Sequence, residues 1–145
     1  MNPLELMLVL LSVQDVQERE ASATIKFSDG RHGLIERKQA EYSRAIEQAR
    51  EGMHAHRPVA VSWLGVDRIS SIQGPQFDIV RKITQSKDGK LLVWLTYHDG
   101  IPELARTTPH FNAVHKVLLE SQQRQKQVWL AIKLPEFVIM DARLP

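Results

Sequence analysis

Ala23-Thr24-Ile25-Lys26-Phe27 runs into Asp29-Gly30, and Val93-Trp94-Leu95-Thr96-Tyr97 runs into Asp99-Gly100. Each alternating segment leads to a helical pattern and then to an apolar strand, Val59–Leu64 in the first case and Val128–Leu134 in the second. The offset between the two stretches is 70 residues as far as Leu34 and Leu104 and 69 from Tyr42 and Phe111 onward. Side-chain types agree along the way: Phe27 with Tyr97, Leu34 with Leu104, Tyr42 with Phe111, Ala45 with Val114, Ala49 with Leu118, and Val59 and Val61 with Val128 and Leu130. The layout predicts an internal duplication within a single domain, residues 1–145, with one half over about 5–73 and the other over about 76–145. Two unrelated strand–helix–strand units would look similar, and the pattern of elements is the same in either case.

The helices follow from apolar spacing. Tyr42, Ala45, Ile46, Ala49 and Met53 fall on one helical stripe, which Gly52 and Pro58 close. The second helix is expected to start with Thr108 as N-cap and Pro109 in the first turn. It turns Phe111, Val114 and Leu118 inward and ends in the polar run Gln122–Gln127.

Strands fill the rest: Asp67–Gln73, then Phe77–Thr84 and Lys90–Tyr97 around the hairpin signal Asp88-Gly89. Gly74-Pro75 separates the halves, and Pro135 with Glu136–Ala142 makes a last hairpin. Residues 4–14 admit a helix, with Asn2 as cap and Pro3 following, or a strand over Leu8–Gln14; matching the halves selects the strand. The expected fold is α+β. Two ββαββ halves would form a curved antiparallel sheet or partly closed barrel, with two helices packed on it. The order Val59–Leu64, Asp67–Gln73, Phe77–Thr84, Lys90–Tyr97 and helix resembles the ββββα order of single-strand-binding families of the PUR and Whirly type. No residue motif carries that resemblance.

Composition excludes several classes of function. Of 145 residues, 43% are hydrophobic and 25% charged, the balance of a globular chain. There is no cysteine, so thiolate catalysis, iron–sulfur clusters and cysteine-ligated zinc are ruled out. The net charge is only +2. Residues 1–75 carry nine basic and ten acidic side chains, and residues 76–145 carry ten and seven. Any anionic partner is therefore expected on the second half. The apolar run Leu6–Leu11 is too short to span a bilayer and is not framed as a secretory signal, so the expected location is cytoplasmic, away from membranes.

No catalytic motif stands out. His54 and His56 supply too few ligands for a metal site, and the remaining four histidines are scattered. Asp29-Gly30-Arg31-His32-Gly33 lacks the spacing of a phosphate loop. No serine sits in a nucleophile elbow. A non-enzymatic module without metal or cofactor is expected.

Alternation along Val128–Leu134 puts Val128, Leu130, Ile132 and Leu134 in the core, and turns Trp129, Ala131 and Lys133 outward. Trp63, by the same logic, belongs to the core of its half. A tryptophan beside a lysine on a sheet face suits base stacking and phosphate contact; cover by another sheet, a helix or a second subunit is the commoner fate of so large an aromatic. Trp94 poses the same choice. Arg124 and Lys126 lead toward Trp129, whereas Arg81 and Lys82, as strand neighbours, are expected on opposite faces. The candidate ligand-binding residues are thus Trp129, Lys133, Trp94, Arg124 and Lys126, and the leading ligand is single-stranded nucleic acid or another polyanion. A protein-interaction or self-association module is the alternative. Sequestration of a small anion between the halves is a third reading.

Overall fold

Gly74-Pro75 is where the chain divides. The computed structural model describes residues 8–145 and resolves the chain into two compact units, Met1–Gly74 and Pro75–Pro145. The class is α+β, with two helices and mostly antiparallel strands in three sheets. The expected Asn2-Pro3 helix start, and the part of the first half before residue 8, lie outside the described residues.

The first unit runs β1 (Leu8–Leu11), β2 (Val13–Glu18), β3 (Ser22–Phe27), β4 (His32–Glu36), α1 (Tyr42–Ala55), β5 (Val59–Trp63) and β6 (Ile69–Gln73). Its strands form the sheets β1-β5-β6 and β2-β3-β4, linked by a parallel bridge from Leu34 to Arg68. Helix α1 lays Tyr42, Ala45, Ile46 and Ala49 on a core that includes Ile25, Phe27, Ile35, Val61, Trp63 and Ile72. Each large side chain fully buried there contributes roughly 1.5–3 kcal/mol.

The second unit runs β7 (Gln76–Gln85), β8 (Leu91–Leu95), β9 (Glu103–Leu104), α2 (Phe111–Arg124), β10 (Gln127–Lys133) and β11 (Val138–Arg143). Its five strands close into a barrel in the order β10-β11-β9-β8-β7, with β9 and β11 parallel. Val114 and Leu118 of α2 join Val80, Val93, Leu104, Val128, Leu130 and Ile139 in one core.

Each unit carries a strand that the ββαββ reading lacks: β4 and β9, both just before the helix. The internal ladders of the units then correspond. Strands β5 and β6 pair Ala60–Gln73, Val61–Ile72, Ser62–Ser71 and Trp63–Ile69, skipping Ser70. Strands β10 and β11 pair Trp129–Arg143, Leu130–Ala142, Ala131–Asp141 and Ile132–Ile139, skipping Met140. Strand β7 changes partner midway, meeting β10 through Gln76–Ile79 and β8 through Val80–Gln85, with a register shift at Arg81. Strands β1 and β2 share the same work, β1 meeting β5 and β2 meeting β3, with a register shift at Gln14. Even an arginine-on-ring contact recurs, Arg37 over Tyr42 and Arg106 over Phe111.

Several expectations need correcting. Phe27 corresponds in the ladders to Leu95, because Val13–Phe27 and Val80–Leu95 are the pairs next to the two shifts. Tyr97 lies beyond the end of β8 and is 69% exposed, and Leu134, past the end of β10, is 63% exposed. The two Asp-Gly steps also differ. Gly30 sits at φ +94 in a tight hairpin turn, where Phe27 N donates to Arg31 O. The same arrangement recurs at Gly89, φ +86, with Ser86 N donating to Lys90 O. Gly100 instead lies under the Phe137 ring, where a Cβ would come within 2.4 Å of it. Helix α2 begins at Phe111, not Pro109. His110 takes the left-handed cap position and the Thr108 carbonyl accepts from Phe111 N. Strands β5 and β6 belong to one unit and β7 and β8 to the other, so the ββββα order is not one sheet. No helix among the described residues is long and apolar enough to cross a membrane.

A strand that switches ladders leaves backbone groups unpaired at the switch, and buried ones must find other partners. In β7, Val80 N donates to Ser121 Oγ of α2 at 3.0 Å, and that hydroxyl donates onward to Lys126 O at 2.6 Å. Ser121 is completely buried. Ser121→Ala strands the Val80 N–H, and the expected cost is about 1–3 kcal/mol of unfolding free energy in urea titration. A change below about 0.5 kcal/mol would show that the hydroxyl is not needed at the switch.

Candidate binding site on the outer face of the second unit

The register shift in β7 decides the chemistry on the outside of β7 and β8. A bulge places two residues of one strand opposite one residue of its partner and re-aims their side chains. Arg81 and Lys82, expected on opposite faces, therefore both reach Trp94 of β8. The Arg81 guanidinium carbon lies 6.0 Å and the Lys82 ammonium 5.2 Å from the indole centre. Lys82 is also the ladder partner of Trp94. The indole N–H of Trp94 donates to Thr84 Oγ1 at 3.3 Å, which fixes the ring orientation. Trp94 is half-buried, while Arg81 and Lys82 are exposed.

Beneath this face lies Asp78, only 1% exposed. Its Oδ1 accepts from Ile79 N at 2.6 Å and from Thr96 N and Tyr97 N at 3.0 Å, and its Oδ2 meets His98 Nδ1. Burial pushes the carboxyl pKa up. The His98 contact and the three backbone N–H groups outweigh burial and leave it below the usual aspartate value. An ionised carboxylate only accepts, so the proton of the pair resides on Nδ1 of His98. Thr96 reinforces the corner through its Oγ1, which donates to Ile79 O at 2.9 Å.

Next to Trp94 the turn after β8 walls a polar pocket of about 170 Å³, lined by Arg81, Trp94, Leu95, Thr96, His98, Asp99, Gly100 and Ile101. A larger cavity of about 490 Å³ in the first unit is lined by Ala21, Ser22, Leu34, Glu36, Arg37 and Lys38. Its cations are already committed, Lys38 to Glu36 at 3.1 Å and Arg37 to Glu18 at 3.9 Å. It offers an anion less.

The residues singled out from sequence are dispersed. Trp129 and Lys133 lie on one row of β10, both half-buried, but Ala131 between them, expected outward as well, is fully buried, so that row is partly covered; the Trp129 ring stacks on Phe77 at 4.0 Å between centroids. Trp94 sits on β8, which pairs with β7 and β9 and not with β10. Along β7, the partners of the two tryptophans, Phe77 and Lys82, are five residues apart, roughly 16 Å at the usual strand rise. Arg124 ends α2 and pairs with Glu120 at 3.6 Å, and Lys126 is exposed in the turn that follows. Asp78 escaped sequence reasoning, although a carboxylate two residues before Val80 on the inward row of a strand was a readable signal, and His98, counted among the scattered histidines, pairs with Asp78 and not with His32.

At the matching ladder positions of the first unit stand Leu11 for Asp78, Gln14 for Arg81, Asp15 for Lys82 and Lys26 for Trp94. The aromatic ring and the cation pair belong to the second unit alone. Among the described residues, no group of three or more histidine, aspartate or glutamate side chains is arranged to hold a metal ion. Comparison with protein-family models, curated proteins and solved structures finds no match to this chain.

The lowered pKa of Asp78 carries a sign. A carboxyl whose folded pKa is depressed stabilises the fold above its unfolded pKa, and the contribution disappears as pH falls through the folded value. Asp78→Asn is expected to cost about 1–3 kcal/mol at pH 7. The gap to the parent protein should close as pH drops below the ordinary aspartate range, followed by urea unfolding between pH 7 and 3. A gap of constant size across that range would contradict an ionised Asp78.

Proposed function

We propose that the protein is a non-enzymatic binding module whose second unit takes a single-stranded nucleic acid, as the representative polyanion, on the outer face of β7 and β8. The observation that carries this reading is the pair of cations, Arg81 and Lys82, drawn to one half-buried tryptophan, Trp94. Indole offers a stacking surface to any base, and the flanking cations meet the phosphates on either side of it. Two separate cations over a ring gain only about 0.5–1 kcal/mol each from cation–π attraction, little enough to exchange for phosphate contacts. Lys90, at the hairpin tip, already serves Asp88 and Glu103 and is not counted in the site.

We read the two units as products of one duplicated segment. Their matching ladders and register shifts support this, and the divergence at Asp78, Arg81, Lys82 and Trp94 fits a copy that took on binding while the other kept the scaffold. Self-association is the competing use of the face, and light scattering over a concentration series separates the two.

Titration with a mixed-sequence oligonucleotide should quench tryptophan emission, with the quench lost in Trp94→Leu. Removing a stacking platform costs about 1–3 kcal/mol of binding. For single strands the log–log salt slope is about −0.7 per neutralised phosphate, so the double variant Arg81→Gln, Lys82→Gln should flatten it by about 1.4. Quenching that survives in Trp94→Leu, or a salt slope unchanged in the double variant, would place binding elsewhere. No response to any oligonucleotide at low salt would remove the reading.

A further inference from the structure

We propose that the pocket beside Trp94 captures the terminal phosphomonoester of a bound strand, with Arg81 and His98 as its ligands. This inference rests on the strand-binding reading above and adds an end preference to it. Three observations carry it. The pocket, about 170 Å³, is too small for a cofactor or a drug-sized molecule and is scaled to one charged group with part of its sugar. Arg81 lines both the pocket and the Trp94 ring, so a base stacked on the indole and a phosphate in the pocket share one guanidinium. His98 is built in place: its Nδ1–H is held by the fully buried Asp78, and Nε2, on a side chain still 42% exposed, donates to a phosphate oxygen in the imidazolium form of the ring.

The buried carboxylate would be a poor neighbour for an anion if it faced the ligand. It does not, because Asp78 spends its lone pairs on Ile79, Thr96 and Tyr97 N–H groups and on His98. Asp99 also lines the pocket and repels any anionic guest, so capture depends on Arg81 and His98 outweighing it. A phosphodiester brings one negative charge, whereas a monoester brings up to two and three acceptor oxygens, enough to engage Arg81 and His98 together. The turn at Thr96–Ile101 supplies most of the pocket's lining and is tied to β7 through Asp78 and Ile79.

The test uses the full chain and one oligonucleotide sequence with a 5′-phosphate, a 3′-phosphate or hydroxyls at both ends, each titrated by tryptophan quenching. One charge-assisted hydrogen bond gained at the terminus is expected to favour one phosphorylated form by about tenfold over the hydroxyl form. Which end binds better identifies the polarity of the strand. In His98→Gln the preference should vanish while the hydroxyl-ended oligonucleotide binds as before; the variant loses a partner of buried Asp78 and melts lower than the parent, so a far-UV circular dichroism spectrum matching the parent's at the assay temperature verifies the fold. Equal affinity for all three oligonucleotides would overturn the phosphate pocket and leave strand binding standing, and so would a preference that persists in His98→Gln. Absence of binding by all three would overturn both.

Discussion

Each unit depends on one strand that changes partners halfway along. In the second unit the strand is continuous β7, serving β10 with its first half and β8 with its second; in the first unit the same task is divided between β1 and β2. A strand that leaves one ladder for another cannot keep its backbone paired by ladders alone. The shortfall falls at Asp78–Arg81, and it is made good by the Asp78 carboxylate, the Thr96 hydroxyl, the Ile79 carbonyl bonded to Thr96 N, and the Ser121 hydroxyl of α2. Asp78 and Ser121 owe their place in an apolar core to this accounting.

The same switch produces the candidate site. Without the extra residue at Arg81, strict alternation would send Arg81 and Lys82 to opposite sides of the sheet, and one cation at most would lie near Trp94. The bulge turns a structural necessity into a cluster of two cations on a tryptophan. The first unit has a register shift too, at Gln14, yet carries Asp15 opposite Lys26 where the second carries Lys82 opposite Trp94. The register shift recurs in both units; the side chains beside it separate them.

Periodicity made much of this legible. The helical stripes Tyr42–Ala49 and Phe111–Leu118 and the core position of Trp63 follow from spacing alone, because burial on one face leaves a strong pattern. The short strands β4 and β9 were not legible, since five and two residues carry little period. Bulges were invisible for a different reason: a shift in register depends on the partner strand, which a linear pattern does not contain. The repeated Asp-Gly shows the limit of local motifs. Gly30 needs its positive φ to turn a hairpin, while Gly100 is there because the Phe137 ring leaves no room for a Cβ. Two identical dipeptides thus answer different constraints, and aligning them misplaced Tyr97 against Phe27.

The central claim is that the Arg81 bulge brings two neighbouring cations onto one indole. Ring-current shifts read this directly: side-chain methylene protons of both Arg81 and Lys82 should resonate upfield of their Trp94→Leu positions in proton–carbon NMR spectra. If only one of the two residues moved on that substitution, β7 would alternate as an ordinary strand, and the site described here would not exist.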